Sequence, residues 1–170
     1  NRALLSHVPG QPGTMVNNAG TGNLVACAHP YVRQLIVDTL RHFVANAGID
    51  GFRFDLAPII GRTASGFEAH GETLKAMLDD EVLRDRIMIA EPWDIGPGGY
   101  QLGNFPAPFL EWNDRARDDL RCYWRGDHYK TGALASALSG SSDIFARNNA
   151  TATRSVNFLA AHDGFTLRDL

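Results

Sequence analysis

Gly48-Ile-Asp-Gly-Phe-Arg-Phe-Asp-Leu-Ala57 decides how the rest of the chain is read. Side chains on a strand alternate between its two faces. On a strand over 49–56, Ile49, Gly51, Arg53 and Asp55 share one side and Phe52, Phe54 and Leu56 the other. The aromatic side suits packing against helices. The opposite side carries an arginine and an aspartate two residues apart at the strand's C-terminal end, where parallel α/β proteins bind ligands. Burying both charges is costly unless they pair or meet a substrate. Taken alone, the segment fits a structural Arg–Asp bridge as well as it fits a site.

Working outward, a proline opens the segment before it and a glycine closes it. Pro30 begins a predicted helix whose Val32, Leu35, Ile36, Thr39, Leu40, Phe43 and Ala47 repeat at helical spacing, and Gly48 ends it. A second helix is predicted over 72–83, with Leu74, Met77, Leu78 and Val82 inward. Arg86-Ile-Met-Ile-Ala-Glu-Pro-Trp-Asp94 then reads as a strand buried on both faces. It brings Glu91 to a second strand end, where Pro92 stops the ladder. A Gly- and Pro-rich loop over 95–108 follows. A short strand is predicted at 109–112, a helix lined by Ala116, Leu120, Tyr123 and Trp124, another over 132–138, and a strand over 155–161 that runs into His162-Asp163-Gly164. Residues 1–28 read as loop, with Asn17-Asn-Ala-Gly-Thr-Gly-Asn23 as their tightest turn.

Alternating strands and helices predict a parallel sheet. Asp55 and Glu91 are 36 residues apart, and Glu91 and Asp163 are 72 apart, one strand–helix unit and then two. The predicted fold is therefore α/β, a partial (β/α)8 TIM barrel holding about strands 4 to 7 with their helices. Such a barrel takes about 250 residues, so the 170 present leave it incomplete at both ends. Residues 1–170 are expected to form part of one catalytic domain, with 1–28 as loop and 29–170 as barrel units.

A net charge of −3 gives no case for nucleic acid or an acidic membrane as partner, and no apolar run of about 18 residues is present to span one. Cys27 and Cys122 lack metal-type spacing and read as thiols of a reducing, cytoplasmic compartment. No cofactor is implied. Gly20-Thr-Gly22 lacks the strand and third glycine of a nucleotide fingerprint.

Three acids at strand ends, converging if the sheet closes, suit glycosidic cleavage. One carboxylate attacks the anomeric carbon, one acid protonates the departing oxygen, and a third anion steadies the charge on the sugar. Two carboxylates in a cleft would equally hold a divalent metal.

Three short segments carry a resemblance: Gly51-Phe-Arg-Phe-Asp55, Ile89-Ala-Glu-Pro-Trp93 and Ala161-His-Asp-Gly164. Their order and spacing resemble conserved segments of the α-amylase superfamily of glycoside hydrolases. The longer stretches Ile89–Phe105, Glu111–Arg115 and Ala161–Asp169 resemble its glycogen-debranching and isoamylase branch. The resemblance implies a retaining hydrolase of α-1,6 branch linkages in glycogen, limit dextrin or related α-glucans. It implies Asp55 as nucleophile, Glu91 as general acid/base and Asp163 as third acid. Arg53 would orient Asp55, His162 would bind sugar, and Trp93 would stack on a glucose ring or pack within its loop. The family's first conserved segment is missing, so the isolated piece is expected to be inactive. The alternatives are a superfamily member acting on α-1,4-glucans or trehalose-type products, and a non-catalytic carbohydrate-binding relative.

Overall fold

A computed structural model of the chain describes residues 4–146, 152–162, 164–166 and 168–169. The chain forms two compact units, Asn1–Gln101 and Leu102–Leu170.

In the first unit, an antiparallel hairpin of β1 (His7–Val8) and β2 (Gln11–Met15) occupies part of the stretch read as loop. Helix α1 (Pro30–Ala47) starts at His29, whose ring nitrogen accepts the Tyr31 amide, and stops at Gly48 with φ at 64°. That left-handed turn favours glycine and leads at once into β3 (Gly51–Phe54). A 3-10 turn (Ala57–Gly61) and a small hairpin of β4 (Arg62–Thr63) and β5 (Gly66–Phe67) come next. Helix α2 (Glu72–Asp79) then packs against α1 and returns the chain to β6 (Ile87–Ala90). β6 lies parallel to β3, from Gly51 opposite Ile87 to Phe54 opposite Ala90. A Cβ on Gly51 would sit 2.7 Å from the Ile87 Cβ and carbonyl oxygen, so glycine lets the strands close. Leu74, Met77, Leu83, Met88 and Ala90 form the core beneath them.

Burial departs from expectation in β6 and α1. Met88 and Ala90 are buried, but Ile87 is 53% exposed and Ile89 half-buried, the alternation of a strand covered on one face rather than two. On α1 only Val32, Val37 and Leu40 are buried, while Leu35 and Phe43 are exposed, because the apolar arc is broader than the surface that α1 packs against.

In the second unit, β7 (Leu110–Trp112) pairs in parallel with β8 (Ser155–Val156), Glu111 opposite Ser155 and Trp112 opposite Val156. Between them run α3 (Asp114–Arg125), α4 (Thr131–Leu138) and α5 (Ser142–Phe145), with α3 packed on α4. Asn113 caps α3 by accepting the Ala116 amide at 2.9 Å. The strand expected over 155–161 ends at Val156. Trp124, expected on the inner face of α3, is 76% exposed.

Each unit thus contains a strand, helical connection and parallel strand, and the class is α/β. Among the described residues no helix is long and apolar enough to cross a membrane.

Candidate active site

Register brings the first two acids together. β3 and β6 are aligned residue for residue, so the positions just beyond them, Asp55 and Glu91, leave the sheet side by side. The Glu91 amide donates to the Phe54 carbonyl at 3.1 Å, and its own carbonyl accepts the Ala57 amide at 3.0 Å. The ladder therefore continues to the base of the site.

Arg53, the β3 residue opposite Ile89, links the two carboxylates. Its Nη1 donates to Asp55 Oδ1 at 2.6 Å and its Nη2 lies 3.0 Å from Glu91 Oε2. Leu56 contributes its main chain. With φ at 43°, a conformation branched and bulky residues seldom adopt, it turns its amide onto Glu91 Oε2 at 2.7 Å. One oxygen of Glu91 thus accepts the Leu56 amide and lies within ion-pair distance of Arg53.

The two acids differ in access to water. The Asp55 side chain is 70% exposed, that of Glu91 4%. Burial, reinforced by the nearby Asp55 carboxylate, raises the Glu91 pKa above the ordinary glutamate value, while the Leu56 amide and Arg53 oppose the rise. An open, arginine-held carboxylate beside an enclosed carboxyl whose pKa is raised is an arrangement in which a nucleophile and a general acid can divide the work.

Arg53, Asp55 and Glu91 are therefore brought together. Trp93, two residues past Glu91, is half-buried in the same unit. His162 belongs to the second unit, exposed, its ring 6.1 Å from that of Trp112. Asp163 lies outside the described residues. The Leu56 amide was not foreseen, and no side-chain pattern could have announced a main-chain donor. Also unforeseen was a buried pair between Arg62 and Asp94; Asp94 stood inside a recognisable motif, but nothing local marked Arg62.

No family model matches the chain. It is 48% identical over 161 residues to the glycogen debranching enzyme of Pectobacterium carotovorum subsp. carotovorum (strain PC1), covering 95% of this chain and 24% of that protein. It is 46% identical over 151 residues to the glycogen operon protein GlgX homolog of Mycobacterium tuberculosis (strain H37Rv), covering 89% and 21%. The chain thus spans about a quarter of the length of the curated relatives it matches. Among solved structures it superposes on the pullulanase from Bacillus acidopullulyticus with TM-score 0.75 at 21% identity, over 94% of this chain and 20% of that one. A pullulanase from Anoxybacillus sp. LM18-11, complexed with maltotriose, gives TM-score 0.71 at 23% identity, over 96% and 24%.

Proposed function

Because the chain belongs to the glycogen-debranching branch of the α-amylase superfamily, we propose that it supplies the catalytic face of a retaining hydrolase of α-1,6 branch linkages in glycogen or related α-glucans. The observation that carries this reading is the single guanidinium of Arg53 shared by an exposed Asp55 and a buried Glu91 at the ends of adjacent parallel strands.

In the first step the Asp55 carboxylate attacks the anomeric carbon of the branch glucose. Glu91 gives its proton to the departing glycosidic oxygen, and a glycosyl ester forms on Asp55. Glu91, now ionised, takes a proton from water as that water attacks the same carbon. The ester breaks, Asp55 is regenerated, and two inversions leave the configuration retained. Arg53 orients Asp55, and Asp163 is the third acid that holds sugar hydroxyls. His162 contacts the cleaved sugar and Trp93 offers a ring to stack on.

We read residues 1–170 as part of one (β/α)8 barrel domain, about strands 4 to 7, with 29–170 supplying its strand–helix units. The TM-scores to pullulanases support it. The free thiols Cys27 and Cys122 favour a cytoplasmic location.

The test is a chimera. This chain replaces the matching quarter of the Pectobacterium enzyme, and reducing-sugar release is measured on pullulan, amylopectin, glycogen limit dextrin and a linear α-1,4 chain. Preference for the substrates that carry α-1,6 linkages is expected; preference for the linear α-1,4 chain would overturn the debranching assignment.

A further inference from the structure

The segments that leave the two acids are tied together a second time. Arg62 follows the 3-10 turn that begins two residues after Asp55, and Asp94 lies three residues past Glu91. Arg62 Nε and Nη2 each donate to one Asp94 oxygen at 2.7 Å, a two-pronged fork. The Asp94 side chain is fully enclosed, at 0% exposure.

Around that carboxylate the chain winds a tight loop. Asp94 Oδ1 accepts the Gly96 amide at 2.8 Å, and Arg62 Nη2 donates to the Pro97 carbonyl at 3.0 Å. The Asp94 amide donates to the Gly99 carbonyl at 3.1 Å, and the Gln101 amide closes the base on the Pro92 carbonyl at 2.7 Å. A Cβ on Gly99 would fall 2.2 Å from Asp94 Oδ1, and one on Gly96 would fall 2.4 Å from the Asn18 side chain. The loop has no slack. Arg62 and Pro97 also form part of the wall of an open cleft of about 820 Å³ that includes Asn18, Ile59 and Thr63.

We propose that Arg62 and Asp94 are positioning residues. By clamping residues 92–101 they hold Trp93 and the loop behind it in the arrangement that binds glucan, and so act on substrate affinity rather than on the chemical step. This rests on the catalytic reading of Asp55 and Glu91 given above. The separation of roles follows from the bonding. Both acids are held by Arg53, the Leu56 amide and the β3–β6 ladder, all independent of the clamp. On the Glu91 side, the clamp's contacts all lie beyond Pro92.

Asp94→Asn keeps the shape and an acceptor for Gly96 but removes the charge that Arg62 grips. Arg62→Met/Asp94→Leu removes both charges and so avoids stranding one in the interior. In the 170-residue chain, amides of 94–100 should exchange hydrogen about tenfold faster in both variants, with those of β3 and β6 unchanged. In the chimera, KM should rise about tenfold while kcat stays within about threefold and the pH profile keeps its limbs. Maltotriose affinity of the chimera, read by tryptophan fluorescence, should fall about tenfold as well. Faster exchange with unchanged KM and affinity overturns the proposal. So does a parallel loss of kcat and kcat/KM with a displaced limb, which would place the clamp in the chemistry. A wild-type chimera that binds maltotriose without cleaving α-1,6 links would sink the catalytic reading alone, and the affinity of the variants would still decide the clamp.

Discussion

Each unit has an arginine ion-paired with a glutamate at a parallel strand, and the two groups differ in what is left open. Glu111, within β7, is fully buried, and Arg154, just before β8, is 7% exposed. Glu111 Oε1 accepts Arg154 Nη2 at 2.6 Å and Oε2 accepts the Gly103 amide at 2.6 Å. Arg154 also donates to the Phe109 and Phe105 carbonyls and lies 5.9 Å over the Phe145 ring. The chain satisfies these charges itself, and the group fastens the 103–109 loop to β7. Around Arg53 the same chemistry stops short of closure, because Asp55 stays 70% exposed. An acid at a strand end is a candidate for catalysis when the fold leaves one carboxylate for a ligand, and a structural fastener when it does not.

The largest effect should separate the two groups in catalysis. In the chimera, Asp55→Asn or Glu91→Gln should lower kcat by about 10⁴-fold or more, as removal of a nucleophile or proton donor does elsewhere, or about 5 kcal/mol of barrier. Glu111→Gln should leave kcat within about tenfold if the protein is folded, since no substrate reaches it. A folded Glu111→Gln chimera as inactive as Asp55→Asn would break the distinction.

Stability should rank the groups the other way. Glu111→Ala strands Arg154 in the interior and should destabilise the chain by about 3–5 kcal/mol, measured by urea unfolding. Asp55→Asn, at an exposed position, should change stability by less than about 1 kcal/mol. Proton linkage supplies an independent check. Burial pushes the Glu111 carboxyl up to about 7 from its ordinary 4.5, against the pull of the Gly103 amide and Arg154. The folded state then binds this proton more tightly than the unfolded one. The contribution is therefore complete below about pH 4.5, declines as pH rises towards about 7, and is flat above. Glu111→Gln should remove that slope, and Asp55→Asn should leave it in place.

Asn113 tests whether the closed region depends on its neutral partners too. It is fully buried, accepts the Ala116 amide, and donates to Ser141 Oγ and Ser155 Oγ, each at 2.9 Å. Asn113→Ala removes a helix cap and two buried bonds together. A loss of about 1–3 kcal/mol is expected in the same unfolding measurement, with kcat of the chimera preserved.

How much of this was legible in the sequence follows from how local each feature is. Pro30 and Gly48 marked the ends of α1 because capping is decided within a turn. Strand parity put Arg53 and Asp55 on one side because neighbours alternate, and Pro92 marked where β6 stops. Periodicity puts Leu35 and Phe43 on the apolar face of α1, yet both are exposed, since periodicity defines an apolar face but not the width of what covers it. The strand expected over 155–161 stops at Val156 for a related reason: apolar residues permit a ladder, but only a partner with matching register continues one. The pairs Arg62–Asp94 and Arg154–Glu111 join residues 32 and 43 positions apart. Only folding defines such contacts. Asp163 stays a reading of motif alone.

The smallest predicted effect is the most direct probe of the open group. Burial is the main cause of the raised Glu91 pKa, and the Asp55 carboxylate adds to it through its charge and a hydrogen bond. The Leu56 amide and Arg53 pull the other way. Asp55→Asn removes a nearby negative charge, so the Glu91 midpoint should fall; Arg53→Met removes a positive one, so it should rise. Carbon-13 NMR of glutamate carboxyls in the 170-residue chain reads both shifts without turnover, and Glu111 serves as the unmoved reference. Opposite displacements would show that the two acids share one electrostatic environment, as a retaining mechanism needs when the same glutamate must first give and then take a proton. A Glu91 midpoint indifferent to Asp55 would make Arg53 the centre of two separate bridges, and the open group would then be a fastener like its closed counterpart.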